Sequence, residues 1–532
     1  MSAVRQSWVL LLLLALSPPR LLAQDGQAYS RAEALVRQGQ YDQGIALLRP
    51  LLEAEPRNLR ALNLLGIALT QKGDLSAANR EYGRALQLDP RFQAALKNLA
   101  INEFTLKEFA ASERHFREAS EVAPDDPVIN AFLGRLAFSR NDFAAAAPHL
   151  AKAGVLLTQD PGLFVALIQS DLEIGRDADA LSQLARTSTE RLPLRTQFEL
   201  GLVLAQHARF DQATPLFESV QAKFPASYDA GFNLAVCYVE TKQYAKAIAA
   251  LSGLKANGHK TAELDNLLAE AYNGADQVQP AIDALREATR LAPEDENNYI
   301  DLVALCIDHD AFDLGFEVLD VGLHYLPQSD RLVFQRGVLH AMRSEFDLAE
   351  RDFQLASQLA PEKNLSYVGL GVSYMQAGNL AEAVRTLRDR VQQKPDDPIL
   401  LFLFGEALMR SGAAPGDSEF SEAATALQRS VRLNATFVPS HVELAKLYLR
   451  ENRLDEAVVL LEKARTLDPN EKAVYSQLLV AYRRQKKPQQ AAAAAAALAR
   501  LLEEQRNRES HTRTRLVKQG SSETQIPEPR PE

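Results

Sequence analysis

Residues 59–90 read LRALNLLGIALTQKGDLSAANREYGRALQLDP, and this stretch decides the fold. Leu62, Leu65 and Leu69 recur at helical spacing, and a second apolar series, Ala78, Tyr82 and Ala85, follows the Gly73-Asp74 break before Pro90 closes the segment. Apolar residues three and four apart mark one face of a helix, and a Gly-Asp pair between two such runs marks a tight turn. The segment therefore predicts two amphipathic helices of about 13 residues each, joined at the turn and stopped by the proline.

The same pattern recurs at a fixed distance. Prolines stand at 56, 90 and 124 and again at 293, 327, 361 and 395, each 34 apart within its group. With that proline numbered 32, position 7 of each unit is Leu in 11 of 14 units, and position 8 is Gly or Ala in 11 of 14. Position 20 is small in all fourteen, from Gly44 and Ala78 to Ala457 and Ala491, and position 17 is often aromatic, as at Tyr41, Phe109 and Phe210. Small residues at 8 and 20 allow close approach of the two helix axes, and large ones at 7, 17 and 24 fill the remaining space. One such pair cannot bury its own apolar faces, so the units must stack.

These residues resemble the tetratricopeptide repeat family: Leu62-x-x-Leu65-Gly66-x-x-Leu69, then Ala78, Tyr82, Ala85 and Pro90. The resemblance implies an all-α, right-handed α-α superhelical solenoid of about 14 helix pairs that works as a binding scaffold rather than as an enzyme. Units start near 25, 59, 93, 127, 161, 194, 228, 262, 296, 330, 364, 398, 438 and 472, so that residues 25–505 are accounted for, with a short insertion near 413–418. Departures from the pattern are Arg31 and Arg336 at position 7 and Ile168, Val303 and Leu479 at position 8. Residues 506–532, with Ser521-Ser522 and Pro527-Glu528-Pro529-Arg530-Pro531, read as a disordered tail.

Ahead of the repeats, Arg5 precedes the apolar run Trp8–Leu16 and a small residue at Ala23. That order predicts a signal peptide over residues 1–23 and an extracytoplasmic destination: periplasmic, cell envelope or secreted. No later stretch is apolar enough to span a membrane. The net charge of −10 excludes a general nucleic-acid-binding surface, yet it is unevenly placed. Between Asp283 and Asp320 there are 11 acidic residues against Arg286 and Arg290, whereas 483–518 holds 10 basic residues against three acidic ones. The basic arm suits an anionic surface or an acidic partner.

Motifs for catalysis, metals or cofactors are not found: there is no HExxH, P-loop, GxSxG, or GxGxxG in a strand-turn-helix setting. His115 and His149 share position 23 in adjacent units without an evident third ligand, and Asp308-His309-Asp310 falls on an inter-helix turn. Cys237 and Cys306 lie two units apart, too far for a disulfide, and read as small buried residues.

The resemblance further implies that first-helix positions 2, 5, 9 and 12 line the groove where partners bind. Those columns are read here as apolar, with Phe104, Phe138, Phe198, Phe232, Phe334 and Phe402 as the aromatic anchors, accompanied by aliphatic residues such as Ile67, Ile101, Met409 and Val442. Lys97 and Asn98 lie near the family's carboxylate-clamp positions, but Ile101 occupies the matching Asn position, so no clamp is expected. The expected partner is thus a protein or peptide presenting an apolar or amphipathic segment. The second reading is a cell-envelope component that handles glycan or lipid in polysaccharide or outer-membrane assembly.

Overall fold

A computed structural model describes Asp25–Gly520, and within it each repeat is a helix pair. The first helices are Asp25–Arg37, Leu59–Lys72, Gln93–Thr105, Pro127–Phe138, Pro161–Glu173, Leu194–Gln206, Tyr228–Glu240, Ala262–Gly274, Glu296–Asp308, Asp330–Met342, Leu365–Gln376, Pro398–Arg410, Val438–Arg450 and Lys472–Arg484. Their partners are Tyr41–Ala54, Leu75–Leu88, Phe109–Val122, Phe143–Ala151, Asp177–Arg186, Phe210–Lys223, Tyr244–Ala256, Val278–Leu291, Phe312–Tyr325, Phe346–Leu359, Leu380–Gln393, Ser418–Leu433, Leu454–Leu467 and Pro488–Gly520. With the short helix Leu156–Gln159 these make 29 α-helices, and no strand occurs among the described residues. The architecture is an all-α superhelical repeat, here numbered repeats 1 to 14. The signal peptide expected over residues 1–23 lies outside the described residues.

One turn is used fourteen times. The residue at position 15 has positive φ in every repeat, whether it is Gly39, Gly73, Gly175, Gly378 and Gly412 or a residue with a side chain such as Lys107, Ala208 and Ser344. In each case the next N–H reaches back to the carbonyl at position 11, as in Asp74 to Leu69, Arg209 to Leu204 and Lys487 to Tyr482. This is the six-to-one bond of a Schellman end, which satisfies a carbonyl left free at the helix terminus and reverses the chain in two residues. Asp74 and Asp142 then accept from backbone N–H groups of the following helix and cap it. Ala208, at φ 56, holds this left-handed conformation without glycine's freedom. Ala208→Gly is expected to stabilise the fold by about 0.5–1 kcal/mol, the relief of that strain less glycine's greater unfolded entropy. A thermal melt at fixed buffer that shows no rise in Tm contradicts this account.

Packing within a pair follows position 8 against position 24. A methyl group at Gly66 would fall 2.3 Å from Tyr82, at Gly201 2.9 Å from Phe217, and at Gly405 2.6 Å from Leu427. The glycines are there because a ring or isobutyl group of the partner helix occupies the place of their side chain. Successive repeats are tied by polar contacts of the same periodicity. Tyr238, Tyr374 and Tyr482, all at position 11, donate to Glu218, Glu350 and Glu462 on the preceding second helix. Arg410 and Arg484, both at position 13, donate to the carbonyls of Met375 and Leu449 in the last turn of the preceding first helix, and Arg450 at the same position donates to Ala413 just beyond the end of one. Cations there complement the negative end of the helix dipole.

Two compact bodies result, one comprising the chain to Lys260 with Glu270–Gln277, the other Thr261–Ala269 with the chain from Val278. In the first, repeat 4 departs from regularity. Pro148 sits inside its second helix, which stops at Ala151, and Gly154 turns the chain with φ 56 before Leu156–Gln159. In the second, the insertion between Arg410 and Ser418 is pinned by the buried Ala413, whose carbonyl accepts from Arg450.

The last helix corrects the boundary drawn at 506. Helix continues from Pro488 to Gly520, so residues 506–520 are helical where a disordered tail was expected, and only 521–532 lie outside the described residues. The physical reason is that nothing in the stretch breaks a helix already under way: it contains neither Pro nor Gly before Gly520, and its four Arg, with Lys518 and Gln519, are good helix formers. No helix among the described residues is long and apolar enough to cross a membrane.

Candidate functional site

The six phenylalanines singled out from the sequence stand on first helices, at position 12 in repeats 3 and 4 and position 5 in repeats 6, 7, 10 and 12. All six are half-buried. Four belong to the first body. Phe104 meets Phe109 and Phe132 edge-on at 5.4 and 4.9 Å, Phe138 meets Phe143 at 5.7 Å, Phe198 meets Phe217 at 5.7 Å, and Phe232 stacks on Tyr228 at 5.5 Å. Two belong to the second, where Phe334 lies 5.2 Å from Phe353 and Phe402 lies 5.4 Å from Phe437. Each ring is held by another aromatic of its own or the next repeat and keeps part of its surface open. Offset and edge-on pairs of this kind fix a ring's orientation.

The wider apolar column is less uniform than its sequence suggests. Ile67, Met409 and Val442 are buried, at 3%, 6% and 4% exposure, and belong to the interior rather than to an open face. Five position-9 residues carry charge: Glu33, Arg135 and Glu270 in repeats 1, 4 and 8, and Glu406 and Lys446 in the adjacent repeats 12 and 13. Lys446 pairs with Glu443, and Arg410 lies 3.6 Å from Glu406. Burial, and then the nearby Glu443, push the Glu406 carboxyl above its ordinary range. The apolar reading of the face is corrected to a mixed one, in which charged side chains interrupt the apolar columns in repeats 1, 4 and 8 and gather over repeats 12 and 13.

The positions near a carboxylate clamp are already occupied. Lys97 Nζ bonds Asp126 at 2.7 Å with both side chains mostly buried, and the buried Asn98 donates to Asn63 at 3.0 Å. His115 bonds Glu103 at 2.7 Å and His149 bonds Asn130 at 2.8 Å, so each imidazole is engaged within its own repeat. Burial lowers the His149 pKa. Asp310 is the positive-φ residue of the repeat 9 turn. Among the described residues no three metal-ligating side chains come together. Cys237 and Cys306 are free and buried, and burial raises both thiols to about 11, where thiolate chemistry is suppressed.

Sequence profiles described as tetratricopeptide repeat match residues 29–95, 97–162, 204–271, 334–398 and 416–482, together more than half of the chain. No curated protein matches the sequence. Among solved structures, yeast Tom70 is similar at 16% identity over 94% of this chain and 97% of that one, with a TM-score of 0.39. The APC/C hetero-tetramer Cut9–Hcn1 is similar at 13% identity over 86% and 96%, with a TM-score of 0.35. Naa15/Naa10 bound to HypK-THB is similar at 11% identity over 89% and 100%, with a TM-score of 0.35.

Proposed function

The chain belongs to the tetratricopeptide repeat family, and from that premise we propose that it is an exported scaffold whose first-helix face receives an apolar or amphipathic segment of a partner protein. The repeats make an interaction scaffold. The observation that supports the finer reading is the set of half-buried phenylalanines, each oriented by a neighbouring ring and each keeping open surface. Side chains so fixed lose little entropy on binding, and a few aromatic anchors of this kind supply most of the energy of an interface. The charged patch of Glu406, Glu443 and Lys446 in the second body would set the register of a segment lying across repeats 12 and 13. Export rests on the leader-like residues 1–23, and the basic residues of 483–518 suit an anionic surface reached by the end of the chain.

The test is capture of partners from the native envelope by the full chain and by the Phe138→Ala/Phe232→Ala double variant. Both rings are half-buried, so the variant is expected to keep its helical circular dichroism while partner affinity falls at least about tenfold. Undiminished capture by a folded variant refutes the groove reading, and recovery of the protein only from the cytosol refutes export.

A further inference from the structure

Repeat 10 departs from its neighbours at three interior positions. Position 7 is Arg336 where eleven repeats have Leu, position 11 is His340 where repeats 7, 8, 11, 13 and 14 have Tyr, and position 23 is Asp352. Arg336 gives Nε and Nη2 to the two oxygens of Asp352 at 3.0 and 2.7 Å, with Asp352 only 9% exposed. His340 Nδ1 bonds Glu345 at 2.6 Å, and its ring lies 4.6 Å from Phe316 of repeat 9. Arg343 covers the same phenylalanine at 5.4 Å. These side chains line a cleft of about 550 Å³, within the size range of small-ligand sites.

The cleft lies on the side of the first helix away from the partner face. At about 100° per residue, positions 7, 11 and 14 cluster opposite positions 2, 5, 9 and 12. A partly buried Arg–Asp pair is costly to desolvate and seldom more stabilising than the apolar pair it replaces. Its presence in a fold that fills position 7 with Leu in eleven of fourteen repeats calls for a use other than stability.

The free hydrogen-bonding groups indicate what would fit. Both oxygens of Asp352 are taken, while Arg336 keeps Nη1 uncommitted and Arg351, exposed at the rim, has no ion pair or hydrogen bond among the described residues. Arg343 spends one nitrogen on Asp313, which is 85% exposed and therefore well solvated. Guanidinium donors beside a phenylalanine suit a planar carboxylate carried on an apolar group. Asp313, Asp320, Glu345 and Asp352 also line the cleft and would repel a phosphate dianion more strongly than a carboxylate. We propose that the cleft between repeats 9 and 10 is a binding site for a carboxylate attached to a small aromatic or aliphatic group, either a free organic acid or the free end of a peptide.

The full chain is titrated with phenylacetate and with acetyl-Gly-Gly-Phe, and with phenylacetamide and the amidated peptide as neutral controls, by saturation-transfer difference NMR. Saturable binding of either acid is expected, with at least tenfold weaker binding of its amide. Binding of phenylacetate identifies a small acid as sufficient, and binding of the peptide acid alone identifies a chain end; each supports the site. The double variant Arg336→Leu/Asp352→Leu restores an apolar pair and keeps the repeat foldable, and Arg351→Gln leaves the interior untouched. Each is expected to weaken binding at least tenfold with the thermal melt preserved. Failure of both acids to bind, equal binding of an amide, or undiminished binding in both variants overturns the proposal.

Discussion

Phe353→Ala is expected to destabilise the second body by about 3–5 kcal/mol, the range for truncating a fully buried phenylalanine. Phe353 is 2% exposed and wedged between two glycines, so that a methyl group at either Gly337 of its own repeat or Gly369 of the next would stand 2.8 Å from its ring. Neither glycine has a side chain to move into the vacated volume. The cavity therefore stays open on both sides and the loss includes the contacts between repeats 10 and 11 as well as those within repeat 10. In a repeat array, stability is the sum of unit and nearest-neighbour terms, so this defect opens the stack locally. Hydrogen exchange should accelerate across residues 330–393 while residues 59–122 keep their protection. Uniform loss of protection over the whole chain, or none, contradicts the local account.

The converse change, Gly66→Val, is expected to cost about 3 kcal/mol, the upper end of overpacking. The first carbon alone would lie 2.3 Å from Tyr82, whose ring is fully buried and whose hydroxyl is tied to Thr70 at 3.2 Å. Tyr82 cannot rotate away without giving up that bond and its own burial, so the two helices of repeat 2 must part. Gly83→Ala is the control. It lies in the partner helix with nothing within 4 Å of the added carbon, and there the better helix propensity of alanine should stabilise by about 0.5–1 kcal/mol. If thermal melts of the two variants shift in the same direction, the packing explanation is wrong.

Both predictions rest on columns that can be read without coordinates. Position 8 is Gly or Ala in eleven repeats and position 24 is Leu, Tyr or Phe in thirteen, and the structure places these two side by side in repeat after repeat. The turn at position 15 is only half legible. Gly39 or Gly73 announces it, but Lys107, Ala208 and Ser344 adopt the same positive φ, because the helices they join demand it of whatever residue is present. The tail shows the opposite error. Polar composition after residue 505 suggests disorder, yet a run without Pro or Gly before Gly520 that follows an established helix extends it, since continuing costs far less than nucleating.

The candidate faces divide in the same way. That Phe104, Phe138, Phe198, Phe232, Phe334 and Phe402 fall on one face of the first helices follows from their spacing. Whether a residue of that face is open is a different matter: Met409 and Val442 occupy the same columns, Ile67 the neighbouring position 9, and all three are buried. In the sequence the cleft at repeat 10 shows only as Arg336 at a leucine position; that His340, Glu345 and Asp352 gather around it and Phe316 closes one side depends on the fold.

The sequence by itself determined the repeat, its period, the helix pair and the stacked all-α architecture, because these depend on residues a few positions apart and on one unit's need to cover the next. Only the tertiary structure decided which columns are filled and which stay open. That depends on the size and charge of side chains 30 or more positions away, which a 34-residue period places in contact but does not itself specify.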